Sequence, residues 1–257
     1  MRYASGTLAI SETRDVPLLL QIRNCRFVTH EQLYELMSLA SYEHSRNSFN
    51  WRIRRLFQAN FVSVCQGSFG RGVLVYTISR QGLIQLENWG HFTAVLNSTT
   101  QHLSHVSQAH HALELNSVRI ALTKAQLLAN WRSDVEVASA NTILPGANSK
   151  DYDALVDVWH DNQMSRFAVE YERTLKSAKR YKEVRQALER DTNIGCVLYL
   201  TSGVDVSFHL AHEFAFISKR LAFATISNFR RQLLETPVIT DPHQPETPFC
   251  QLLRGMF

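Results

Sequence analysis

The chain has 257 residues, 45% hydrophobic and 19% charged, with a formal net charge of +4. That length suits one large or two small domains, and the composition excludes a disordered or fibrous chain. The mild positive charge admits an anionic partner without requiring one.

"VPLLLQIRNCRF" predicts a first helix, with Pro17 tolerated in its opening turn. "VTHEQLYELMSLA" predicts a second. Thr29 is its N-cap and Gln32, three residues on, has capping-box spacing. Leu33, Leu36, Met37 and Ala40 give that helix an apolar stripe. After a polar turn, "SFNWRIRRLFQANF" predicts a third helix with Phe49, Ile53, Leu56 and Phe57 on one face. The opposite face carries Trp51, Arg54, Arg55 and Gln58, with Asn47 and Asn50 beside it. "FVSVCQGSFGRGVLVYTIS" reads as a β-hairpin with Arg71 near its tip, and "SRQGLIQLENWG" as a short helix. This order predicts a winged helix-turn-helix over residues 14–92.

Residues 93–112 read as a connector running into a helix. Leu113, Val118, Leu122 and Ala125 continue that helix with one apolar side. From about residue 131 the texture changes. "WRSDVEVASA", "YDALVDVWH", "RFAVEYE" and "IGCVLYLTSG" are expected strands. "RTLKSAKRYKEVRQALERD" is an expected helix, with Leu175, Ala178, Tyr181, Val184 and Leu188 as its buried stripe. "HLAHEFAFISKRLAFATI" is expected to be another helix, and the Pro-rich "ETPVITDPHQPETPFC" a loop. The expected class is α+β or α/β, with a mixed sheet flanked by helices.

Bulk features narrow the compartment. No 18-residue apolar run occurs and the first residues lack a signal-like apolar core, so a soluble cytoplasmic protein without a membrane partner is expected. Cys25, Cys65, Cys196 and Cys250 are scattered, without CxxC spacing, as suits free thiols in a reducing compartment.

Three constellations carry chemistry. The first is the basic third helix. Asn50, Arg54, Arg55 and Gln58, with Asn47 and Trp51, have the side-chain types that reach base edges from a major groove, and Arg46, Arg52 and Arg71 flank them as phosphate contacts. A solvated basic face is the alternative. The second is a carboxylate set. Glu170 and Glu172, two apart on a strand, point to the same side. Asp153, on or beside the neighbouring strand, and Glu114, on the preceding helix, would add oxygens suited to magnesium or manganese. Ordinary ion pairing of these acids with Arg173, Lys176 or the basic helix is the alternative. The third is a histidine group, His102, His105, His110 and His111; no cysteine or paired carboxylate completes it at metal spacing, which favours a solvated or helix-packing role. No GxSxG, Walker loop or GxGxxG is present.

"YDALVDV…RFAVEYERTLKSAKRYKEV" resembles the core of the PD-(D/E)xK nuclease-like superfamily. With the helix-turn-helix before it and the segment "HHALELNSVRIAL", the chain from about residue 16 to 205 looks like the replication-relaxation family of plasmid and mobile-element proteins. The resemblance implies a nuclease-like domain over residues 113–257, with Asp153, Glu170, Glu172, Thr174, Lys179 and Tyr181 at the signature positions. Two departures matter: Glu172 stands where active nucleases carry lysine, and Tyr152 where a proline precedes the Asp. A carboxylate cannot supply the positive charge that lysine gives the transition state, although Lys176 or Lys179 offers a substitute.

The resulting expectation is a sequence-specific double-stranded DNA-binding protein. It acts as a homodimer regulating transcription or plasmid and mobile-element replication and transfer, needs no cofactor, and carries an inactive nuclease-like domain. The alternative is a magnesium- or manganese-dependent endonuclease using Asp153, Glu170 and Glu172, with Asp153 and Glu170 as metal ligands. A protein-interaction scaffold is a third reading.

Overall fold

The computed structural model of the chain describes residues 9–67, 69–94, 105–144, 148–215 and 217–254. It is a mixed α+β structure in two compact units. One comprises Met1–Phe92 with Asn97–Asn116, and the other Thr93–Leu96 with Ser117–Phe257. The long helix therefore belongs partly to each unit.

The first unit opens with α1 (Asp15–Cys25), β1 (Val28–Thr29), α2 (His30–Leu39) and α3 (Arg46–Gln58). Then come β2 (Val62–Val64), β3 (Val75–Ile78), α4 (Arg80–Asn88) and the start of α5 (His105–Lys124). Thr29 and Gln32 form the reciprocal capping box that starts α2. Ser45 caps α3 and Ser79 caps α4. The apolar stripes meet as expected: Leu18, Leu19 and Ile22 of α1, Leu33 of α2, and Phe49 and Leu56 of α3 are fully buried. Phe57 is instead 45% exposed, and Ala40 and Ala125 are exposed outside their helices. β3 lies between β1 and β2 in an antiparallel sheet, with Val75 opposite Thr29 and Val62 opposite Ile78. Gly82 of α4 permits a close approach, since a Cβ there would lie 2.2 Å from the Phe61 carbonyl oxygen. The first part of α5 is tied to this unit by Asn116, which donates to the Phe27 carbonyl at 2.8 Å.

The second unit continues with β4 (Leu128–Ser133), α6 (Asp134–Ile143), β5 (Ala154–His160), β6 (Gln163–Glu172) and α7 (Ala178–Arg190). It ends with β7 (Cys196–Thr201), α8 (Val204–Glu213), β8 (Arg220–Thr225), α9 (Ile226–Gln232), a 3-10 turn (Leu233–Glu235), β9 (Pro237–Val238), β10 (Thr247–Pro248) and α10 (Phe249–Leu253). The sheet runs β4-β5-β6-β7-β8; the first two pairings are antiparallel and the last two parallel. One face of the sheet buries Leu155, Ala168, Val197 and Phe223 against Tyr181, Val184 and Leu188 of α7, Leu210 of α8 and Phe214 just after it.

Four expectations need correction. "WRSDVEVASA" is not one strand. Ser133 and Glu136 form a capping box, and α6 begins there despite its valines. The helix after β6 starts only at Ala178, capped by Ser177, so Leu175 is half exposed in a loop and Ala178 is exposed. "RLAFAT" is the fifth strand rather than the end of a helix; a strand buried on both faces has the same unbroken apolar run as a buried helix. The Pro-rich tail is not all loop. Ile239 bridges Phe223 on the sheet edge, and α10 packs Phe249 edge-on against Phe167, with ring centroids 5.0 Å apart.

Candidate functional site

The first candidate surface is one side of α3. Asn47, Trp51, Arg54 and Gln58 are all exposed. At about 100° per residue they fall within roughly 60° of one another, opposite the buried stripe. Arg54 has no ion pair among the described residues, and Trp51 is 60% exposed with the Arg55 guanidinium over its ring at 4.9 Å. Arg71 is exposed in the connection between β2 and β3, beside Gly70 and Gly72, both of which have positive φ.

Other basic residues of α3 have different work. Arg52 is a correction to the phosphate-contact expectation, because it is buried within the unit. Its guanidinium donates to Asp15 at 2.8 Å and to Glu43 at 2.6 Å, and both acids are essentially inaccessible. Arg14 reaches Glu43 at 3.0 Å, and Arg55 pairs with Asp15. Burial alone would raise the Asp15 carboxyl. The Ser11 N–H, Arg52 and Arg55 outweigh it and hold the group below its ordinary range. Arg46 pairs with Glu31 and lies 4.4 Å over the Tyr34 ring, so it is half-held. Asn50 meets His30 Nε2 at 2.9 Å, while His30 Nδ1 meets the Tyr76 hydroxyl at 3.0 Å. The α3 cations thus divide between an internal scaffold (Arg52 and, in part, Arg55) and a solvent face (Arg54).

The second candidate is the carboxylate end of the five-stranded sheet. The β5–β6 register puts Asp153 and Glu170 one step beyond the Ala154–Val169 pair. The parallel register puts Tyr199 beside Glu170 and Thr201 beside Glu172. Strand alternation aims Asp153, Glu170, Glu172 and Tyr199 to one face. Both glutamates are buried, and each is already paired: Glu170 with Lys150 and Glu172 with Lys176. Asp153 Oδ2 accepts the Tyr171 N–H at 2.7 Å. Burial pushes the Glu170 carboxyl well above the usual carboxylate range; Lys150 pulls against this, and Asp153 and Glu172 add to it. The Tyr199 hydroxyl is buried without a hydrogen-bond partner among the described residues. Desolvation, followed by the neighbouring glutamates, raises it far above a free tyrosine.

In this structure the two glutamates are held by lysines rather than gathered around one point. Asp153, Glu170 and Glu172 do not bring one oxygen each within 4.8 Å of one another, whereas His160, Glu235 and Cys250 do bring their ligand atoms that close. The lysines neutralise the two glutamates without a metal. Lys176 sits on Glu172 rather than free to meet a substrate, and Lys179 is exposed on α7. Thr174 is exposed in the loop. The Tyr181 ring is buried against Phe214, and its hydroxyl accepts the Lys176 N–H at 2.9 Å. Glu114 lies in the part of α5 that belongs to the first unit. His102 and the His105 side chain lie outside the described residues, and His110 packs against Phe69 with ring centroids 5.3 Å apart.

Sequence reasoning missed Lys150 and Tyr199. Lys150 sits three residues before Asp153 in a turn with no helical or strand period, and Tyr199 hides in an unbroken apolar strand. No helix among the described residues is long and apolar enough to cross a membrane. No family model, curated protein or solved structure matches the chain.

Proposed function

We propose that this chain is a double-stranded DNA-binding protein whose first unit works as a winged helix-turn-helix, with α3 as the helix that enters the major groove. The carrying observation is the solvent stripe Asn47–Trp51–Arg54–Gln58 on α3, with the exposed Arg71 on the connection between β2 and β3. A groove-entering helix needs donors and acceptors along one face and a buried stripe on the other, and α3 is divided that way. Arg71 supplies a phosphate contact on this reading. Arg52 and most of Arg55 hold the helix in place rather than touching DNA.

The second unit acts on this reading as a nuclease-like fold without nuclease chemistry. What supports this is the internal pairing of Glu170 with Lys150 and of Glu172 with Lys176, together with Glu172 at the position where active nucleases carry lysine. Two-fold operators are the usual targets of such modules, so the protein binds as a homodimer and regulates transcription or mobile-element replication and transfer.

The test is fluorescence anisotropy of duplex DNA across a salt series, starting from randomised duplex and enriching for bound sequences. Affinity should fall steeply with salt. Arg54→Ala should lose about 1–3 kcal/mol on the enriched sequence, about 5- to 150-fold, and much less on random duplex. Equal loss on both would make Arg54 a phosphate contact, and no loss on either would remove α3 from the interface.

A further inference from the structure

Outside both candidate sites, three residues far apart in sequence meet at the turn of the β5–β6 hairpin. His160 ends β5, Glu235 ends the 3-10 turn, and Cys250 lies in α10. Their ligand atoms all lie within 4.8 Å of one another. Cys250 is buried and Glu235 exposed. His160 Nε2 is buried without a hydrogen-bond partner among the described residues. Its nearest anion, Asp161 Oδ2 at 3.4 Å, is held instead by Arg254 at 2.7 and 3.1 Å. A cavity of about 250 Å³ opens alongside, lined by His160, Asp161, Gln163, Ser165, Leu253 and Arg254.

We infer that His160, Glu235 and Cys250 form a binding site for a thiophilic divalent cation of the zinc class. An imidazole nitrogen, a thiolate and a carboxylate are the donors zinc takes, whereas magnesium and calcium do not select sulfur. Tetrahedral zinc, with bonds of about 2.0–2.3 Å, holds its ligand atoms roughly 3.3–3.8 Å apart. The three ligand atoms lie within 4.8 Å of one another, so binding would draw them together by rotation of all three side chains. An unpartnered buried imidazole nitrogen is costly, and a metal satisfies it. The cation displaces the thiol proton of Cys250 to solvent and leaves its fourth position to a water in the adjoining cavity. Asp161 is balanced by Arg254, so the thiolate and Glu235 are the charges left to meet a divalent ion. The bound ion would fasten the 3-10 turn and α10 to the hairpin, joining the tail to the sheet beyond the Phe249 contact.

The experiment titrates the full metal-free chain with cobalt(II) as a spectroscopic probe, then displaces it with zinc. One equivalent should give tetrahedral d–d bands and a thiolate-to-cobalt charge-transfer band, both bleached by zinc. Cys250→Ser should abolish the charge-transfer band, while Cys65→Ser should leave it unchanged. Glu235→Gln, at an exposed position that does not threaten folding, should keep the band and weaken affinity at least about tenfold, since even outer-shell partners carry about 10–100-fold. His160→Asn should weaken it further. Absence of the bands in folded wild type, their persistence in Cys250→Ser, or unchanged affinity in Glu235→Gln would each overturn the assignment.

Discussion

Replacing Arg52 by Met tests the division of the α3 cations most directly. The side chain is 6% exposed and bonds two acids whose side chains are fully buried, so the substitution leaves Asp15 and Glu43 without their shared partner. Breaking a buried ion pair from one side costs about 3–5 kcal/mol. Each acid keeps one other arginine, Arg55 or Arg14, but these side chains are 22% and 44% exposed and screened by water. The expected loss is therefore at the lower end, about 3 kcal/mol. The assay is urea unfolding at neutral pH, with hydrogen exchange localising the loss to α1, α2 and α3. Adding Asp15→Asn and Glu43→Gln should recover part of the loss, because the stranded charges rather than the missing attraction dominate it. The pH dependence follows in sign. In the wild type, the folded Asp15 pKa lies below its unfolded value, so its contribution is present above the unfolded pKa and lost as pH falls through the folded one. In Arg52→Met that depression shrinks, so the gap between variant and wild type narrows on acidification. A loss below about 1 kcal/mol, or one that widens in acid, would refute the reasoning.

Arg54→Ala, two residues on and on the outer face, should change stability by no more than about 0.5 kcal/mol while weakening DNA binding, which separates interface from scaffold within a single helix. Arg71→Ala should weaken binding similarly across sequences and lower the salt slope by about one, read from log–log plots of affinity against salt. Lys150→Met should strand Glu170, whose folded pKa is already raised; the sign for a raised carboxyl is stability present below the unfolded pKa and lost as pH rises through the folded one. The variant should therefore approach wild-type stability near pH 5 and fall well below it by pH 8, by chemical denaturation at both; a pH-independent deficit would exclude Glu170 as the cause. Gly82→Ala should cost at least about 1–3 kcal/mol by thermal melting, because its Cβ meets backbone at 2.2 Å and cannot be accommodated by a side-chain rotation; a wild-type melting temperature would contradict that packing.

Features under the control of local chemistry were legible without the fold. Period and caps placed α2 and α3, Thr29 and Gln32 fixed where α2 starts, and the two-residue spacing of Glu170 and Glu172 put both acids on one face of a strand. Where local signals conflicted, the sequence reading failed for identifiable reasons. The valines of 135 and 137 suggested a strand although Ser133 and Glu136 form a helix cap, and "RLAFAT" has no period that distinguishes a doubly covered strand from a buried helix. Which cations face water is set by the packing of separate elements. Arg52 and Arg54 are two residues apart and chemically identical, yet one is enclosed by Asp15 and Glu43, and the other is exposed with no ion pair among the described residues. The acids brought to Arg52 come from α1 and the turn before α3, and no periodicity within α3 encodes their arrival. The same holds for Lys150 on Glu170 and for the meeting of His160, Glu235 and Cys250. Charge balance and ligand geometry are properties of what converges in space, and convergence between residues on different elements is set by sheet register and chain packing, not by neighbours in the sequence.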